Sequence, residues 1–114
     1  MKKFFINFGV FAGYADTNNA EIPVRTVAGV IQELIAETEQ ETGVYLSGFL
    51  YETRSLYKTG CPVGGETAFT YSGTLASDTE EEQQAVRMLG KKIIDHWKQK
   101  TLSIETVDAD MFYL

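Results

Sequence analysis

The residues with chemical potential lie mostly between positions 51 and 71. Tyr51, Glu52, Arg54 and Tyr57 fall within one short stretch and Tyr71 lies on the next. A tyrosine beside a guanidinium and a carboxylate can polarise a carbonyl and move a proton, so these types on neighbouring strands describe acid–base chemistry. The same types also favour strands and interfaces, where no reaction takes place. His96 is the single histidine and Cys61 the single cysteine. One histidine supplies neither a zinc site nor a nucleophile and base pair, and a lone thiol has no resolving partner, so catalytic and metal sites are not expected from either. His96 reads as a helix-flank residue and Cys61 as an ordinary loop thiol.

Two loop patterns complete the search. Asp16, Asn18, Asn19 and Glu21 place oxygens close together but lack the central glycine and distant bidentate glutamate of a calcium loop. Gly60, Gly64 and Gly65 offer backbone N–H groups to an anion, with no helix following to strengthen the site. No cofactor is called for. A third pattern is electrostatic: Glu33, Glu37 and Glu41 stand at i, i+4 spacing with no lysine or arginine between them. Like charges at that spacing disfavour a helix, so the stripe reads as an acidic docking surface for a basic protein.

The elements that must carry these residues follow from periodicity. Lys3 to Gly13 places Phe4, Ile6, Phe8 and Val10 on one side and Phe5 and Phe11 on the other, as in a central strand covered on both faces. Tyr14 to Ile22 is a loop. From Pro23 an apolar stripe of helical period runs to Thr38, with Gly43 as its stop. Val44 to about Tyr57 alternates as a second strand, with a bulge expected at Gly48. Lys58 to Gly65 is a hairpin connection and Glu66 to Ala76 a third strand. Either Ser77 with Glu80 or Asp78 with Glu81 can form a capping box, starting a helix whose stripe is Val86, Leu89, Gly90, Ile93 and Trp97. A last strand is expected near Leu102 to Tyr113, bulged near Thr106.

Strand, helix, strand, strand, helix, strand is the order of the split βαβ. The chain thus resembles ferredoxin-like domains in architecture: α+β, a four-stranded antiparallel sheet with two helices on one face, and a single domain over 1–114. Such a sheet leaves one face open. Alternation sends Phe5, Phe11, Tyr45, Phe49 and Tyr51 there, beside Asn7, Ser47, Ala68, Thr70, Ser72 and Thr74. An aromatic patch of that size points to burial against a second copy, giving a homo-oligomer, or to a ligand cleft.

Composition bounds the rest. At 114 residues, 44% hydrophobic and 23% charged, the chain can bury a core without staples. A formal charge of −6 disfavours direct nucleic-acid and anionic-membrane binding. No stretch reaches the roughly 20 apolar residues of a membrane span. The lone cysteine and the absence of a leader pattern fit the cytoplasm. The reading is a small acidic, non-enzymatic interaction protein, dimeric through its sheet face and docking on a basic protein surface, including that of a nucleic-acid-binding protein that it would inhibit. The alternative is a cofactor-free small enzyme or small-molecule carrier whose pocket on the sheet is lined by Tyr45, Tyr51, Arg54, Tyr71 and the strand hydroxyls.

Overall fold

The computed structural model describes residues 1–11, 22–56 and 64–114. Six elements follow in the expected order: β1 (Lys2–Gly9), α1 (Val24–Thr42), β2 (Gly48–Ser55), β3 (Glu66–Leu75), α2 (Glu80–Trp97) and β4 (Ser103–Asp108). The four strands form one antiparallel sheet in the order β2-β3-β1-β4, so the doubly apolar β1 is central, flanked by β3 and β4. This is the ferredoxin-like α+β arrangement.

One face of the sheet meets both helices. Phe4, Ile6 and Phe8 from β1 and Phe69, Tyr71 and Leu75 from β3 are buried against Val27 and Ile31 of α1 and Ala85, Val86, Leu89 and Ile93 of α2. Phe8 lies with its ring 6.1 Å from Phe69 and 5.3 Å from Trp97, both stacked, which closes one end of the core. Burial of these side chains is the main stabilising term, at roughly 1.5–3 kcal/mol for each large apolar side chain.

The helix ends follow local rules. Gly43 terminates α1 in the left-handed region, φ 73°, donating its N–H to the Glu39 carbonyl at 2.7 Å. At the start of α2 the capping box lies one residue beyond the Asp78 position and two beyond the Ser77 position. Thr79 Oγ1 accepts from the Glu82 N–H at 3.2 Å, and Glu82 Oε1 accepts from the Thr79 N–H at 3.0 Å.

One strand start differs from expectation and two expected bulges are absent from the described strands. The second strand begins at Gly48, not Val44, because side chains take the preceding backbone groups: Thr42 Oγ1 accepts from the Val44 N–H at 3.2 Å and Glu39 Oε1 from the Leu46 N–H at 2.9 Å. Gly48 is no bulge but the first paired residue, opposite Gly73, and a Cβ there would stand 1.9 Å from the Ser72 carbonyl oxygen. β4 pairs with β1 without a slip from Ser103 to Asp108. It is an exposed edge strand, so no burial enforces its alternation. Its far end is fastened by the Lys2–Asp108 ion pair, 2.8 Å, and by the Ala109 N–H donating to the Met1 carbonyl at 3.1 Å. Among the described residues no helix is long and apolar enough to cross a membrane.

Candidate active site

Register fixes what the open sheet face displays, since paired residues project to the same side. Across the four strands, Glu105, Phe5, Ser72 and Phe49 form one row, and Ser103, Asn7, Thr70 and Tyr51 the next. Tyr45 (82% exposed), Phe49 (72%) and Tyr51 (45%) stand in solvent. Phe5 is half-buried, with Lys3 Nζ 5.3 Å from its ring centroid.

Asn7 is the hub of the second row. Its Oδ1 accepts from Thr70 Oγ1 at 2.7 Å, and its Nδ2 donates to Ser103 Oγ and to Glu105 Oε1, both at 2.9 Å. One side chain thus ties β3, β1 and β4 together.

Beyond this row, where β1 ends, the sheet opens into a cleft of about 550 Å³. Asn7, Thr53, Thr70 and Ser103 reach it from the open face, and Arg54, Thr67, Phe69, Gln99 and Leu102 from the helix side. Among the described residues of this lining, Glu66 is the one carboxylate and Arg54 the one cation. Arg54 Nε donates to the Gly64 carbonyl at 3.0 Å, Nη2 to the Gly65 carbonyl at 2.8 Å and Nη1 to Thr67 Oγ1 at 3.1 Å. Gly64 and Gly65 both have positive φ, 90° and 83°, so the arginine clamps a turn that favours glycine. Among the described residues, two of its five N–H donors have no partner.

The sequence-based candidates separate accordingly. Phe5, Phe49 and Tyr51 do lie on the open face, whereas Tyr45 is exposed in the segment before β2, outside the sheet. Phe11 does not: it is buried with the core, because the chain leaves the strand after Gly9. Arg54 and Tyr71 also belong elsewhere. Arg54 pairs with Thr67, in phase with Phe69 and Tyr71 on the helix side, and Tyr71 is buried with its hydroxyl donating to the Leu46 carbonyl. Burial, and secondarily the Glu39 carboxylate, push the Tyr71 phenol up to about 12. The expected pocket of Tyr45, Tyr51, Arg54 and Tyr71 is therefore split by the sheet.

The acidic stripe has a simpler cause than a partner. Lys92 of α2 lies 2.9 Å from Glu41 and 3.8 Å from Glu37, and its hydrogen bond to Glu41 holds the ammonium above the ordinary lysine range. Glu33 alone of the three has no such pair among the described residues. His96 is exposed on α2, its ring edge-on to Trp97. Tyr57, Cys61, Gly60 and the Asp16 to Glu21 segment lie outside the described residues. Among the described residues no three His, Cys, Asp or Glu side chains gather to hold a metal ion.

Sequence reasoning passed over Glu66, Thr67, Gln99 and Ser103, and placed Asn7 on the open face without giving it a role. A signal existed for Asn7, a polar residue midway along an otherwise apolar central strand.

A profile of the SAM lyase family matches residues 1–114, the whole chain. The chain belongs to the SAM lyase family. Two solved structures share the fold of this SAM lyase family member. A phage SAM lyase in complex with S-methyl-5'-thioadenosine has TM-score 0.66 and 19% identity over 94% of this chain and 80% of that one. A phage SAM lyase in the apo state has TM-score 0.59 and 16% identity over 98% of this chain and 92% of that one. A search of curated proteins gives no significant match. Membership of the SAM lyase family overturns the reading as a non-enzymatic interaction protein or acidic inhibitor. That reading rested on the lack of a familiar catalytic constellation and on a glutamate stripe that Lys92 largely accounts for. The alternative, a small enzyme, agrees better with the family.

Proposed function

We propose that this chain cleaves S-adenosylmethionine at the bond between its sulfonium and the Cγ of its amino-acid arm, releasing S-methyl-5'-thioadenosine. The observation that carries the reading is the cleft lining, one cation and one carboxylate among hydroxyls and amides, which complements a zwitterionic amino-acid head group. Arg54 uses its two spare N–H groups on the substrate carboxylate and Glu66 takes the ammonium. Thr67, Thr70 and Ser103 supply hydroxyls for the ribose.

The chemistry asks little of the protein. The sulfur leaves as a neutral thioether with the S–Cγ electron pair, so no acid is needed to protonate it. The substrate's own carboxylate oxygen forms the new bond to Cγ, giving a protonated amino lactone, with no proton gained or lost overall. Holding the arm folded so that oxygen and Cγ approach to about 3–3.5 Å is then the main catalytic contribution. Elimination would instead need a base at Cβ, and among the described residues of the lining the one group suited to general-base work is Glu66. The reading also fits the cytoplasmic location expected from the lone cysteine, where such a metabolite is made.

Incubation of the purified protein with S-adenosylmethionine, followed by chromatography and mass spectrometry, tests the proposal. Equal amounts of S-methyl-5'-thioadenosine and homoserine lactone are expected. Failure to form the thioadenosine above the uncatalysed rate overturns it, and vinylglycine as coproduct overturns the closure step. Glu66→Gln should lower kcat/KM about 10- to 100-fold, the worth of a charged hydrogen bond.

The aromatic residues of β2, together with Tyr45 just before it, are proposed to pack on a second copy of the chain. Tyr45, Phe49 and Tyr51, with the exposed tail Phe112, Tyr113 and Leu114, offer roughly 600–900 Å² of apolar surface, near the roughly 800 Å² per partner of a stable interface.

A further inference from the structure

Resting on the reading above, we infer that Glu105 distinguishes the cationic sulfonium substrate from its neutral thioether product, with Asn7 as its positioning residue. Asn7 lines the cleft, and it donates to the Glu105 carboxylate, which lies outside the lining, exposed on the edge strand next to Ser103. The Asn7 amide cannot turn over. Its oxygen accepts from Thr70 and its nitrogen donates to Ser103 and Glu105, and a flip would set the amide oxygen against the Glu105 carboxylate.

That hydrogen bond orients the exposed Glu105 carboxylate. One of its oxygens is used by Asn7. Glu105 makes no ion pair among the described residues, and the cation in the neighbouring row, Lys3, lies over the Phe5 ring. Phe5, opposite Glu105 in register, puts apolar surface on one side of the carboxylate. An oriented carboxylate of this kind attracts a sulfonium and is indifferent to a thioether. Cleavage therefore removes the charge that held the ligand, and the product loses affinity at the moment it forms.

Two uncleavable probes separate charge from shape. Sinefungin carries an amine near the sulfonium position, and S-adenosylhomocysteine is a neutral thioether with the same amino-acid arm. Calorimetric titration of the full chain should show sinefungin bound about five- to tenfold more tightly. In Glu105→Gln, which keeps an acceptor for Asn7, the preference should vanish while S-adenosylhomocysteine affinity stays within twofold. Asn7→Ala, which frees Glu105, should reduce the preference partway. Equal binding of the two probes to the wild type, or a preference surviving in Glu105→Gln, overturns the inference. Turnover of S-adenosylmethionine is measured separately: charge preference without turnover defeats the proposed reaction alone, and turnover without charge preference defeats the role of Glu105 alone.

Discussion

Replacing Tyr71 by phenylalanine removes one oxygen atom from the interior and tests the packing between α1 and the sheet. The hydroxyl donates to the carbonyl of Leu46, a fully buried residue whose own N–H is taken by Glu39. Without it the carbonyl is left unpaired in the core, at a cost of about 1–2 kcal/mol. For a chain of this size that is a fall in Tm of about 4–8 °C near pH 7. Alkaline pH should reverse the order. The phenol is held at about 12 in the fold, by burial first and the Glu39 charge second, against 10.0 as its ordinary value. The folded state therefore binds the proton more tightly than the unfolded chain does. Its contribution is complete below about pH 10 and declines as pH rises toward 12, a loss of about 2.7 kcal/mol for two pKa units. The phenylalanine of the variant has no proton to lose, so the wild-type advantage should shrink above pH 10 and invert near pH 12. Urea unfolding of both proteins from pH 7 to 12, plotted as a difference to cancel the other titrating groups, measures this. Equal stability at pH 7 with parallel curves through pH 10–12 would refute the reasoning.

Other expectations follow from single contacts. Lys92→Gln should lower Tm by a few degrees at low salt, with the difference narrowing at 1 M salt, because it frees Glu37 and Glu41 to repel each other. Thr79→Ala removes the capping box and should destabilise by about 1 kcal/mol in chemical denaturation. Phe49→Asp should convert an oligomer to a monomer in light scattering while leaving Tm nearly unchanged, and a monomeric wild type at micromolar concentration would remove the proposed sheet-face contact.

The fold was legible because its strongest signals are long-range in consequence but local in sequence. A strand apolar on both faces must be central, and β1 is. The cap of α2 was harder: Ser77, Asp78 and Thr79 each precede a glutamate by three residues, and the spacing alone does not choose among them. The start of β2 was masked because Val44 to Ser47 alternates like a strand while Thr42, Glu39 and Tyr71 satisfy its backbone. The site was less legible. Arg54 was grouped with Tyr51 in one pocket although alternation over three residues already sets the two on opposite faces, and the acidic stripe read as unpaired because Lys92 is 51 residues away from Glu41 in sequence. Asn7 was visible, but the use of its amide depends on neighbours from two other strands.

The closure of β4 on β1 joins the first and last strands of the fold, with Ala109 bonded to Met1 and Asp108 to Lys2. During synthesis, β1 is made before both of its partners and waits longest for the second. Its neighbour β3 can pair early, but its other edge stays bare until β4 has cleared the exit tunnel. Ser103 and Glu105 ride on β4, so the Asn7 network assembles only once that strand has been made. A chain cut off before Ser103 would keep an unprotected central strand and an incomplete cleft, a natural target for proteolytic clearance.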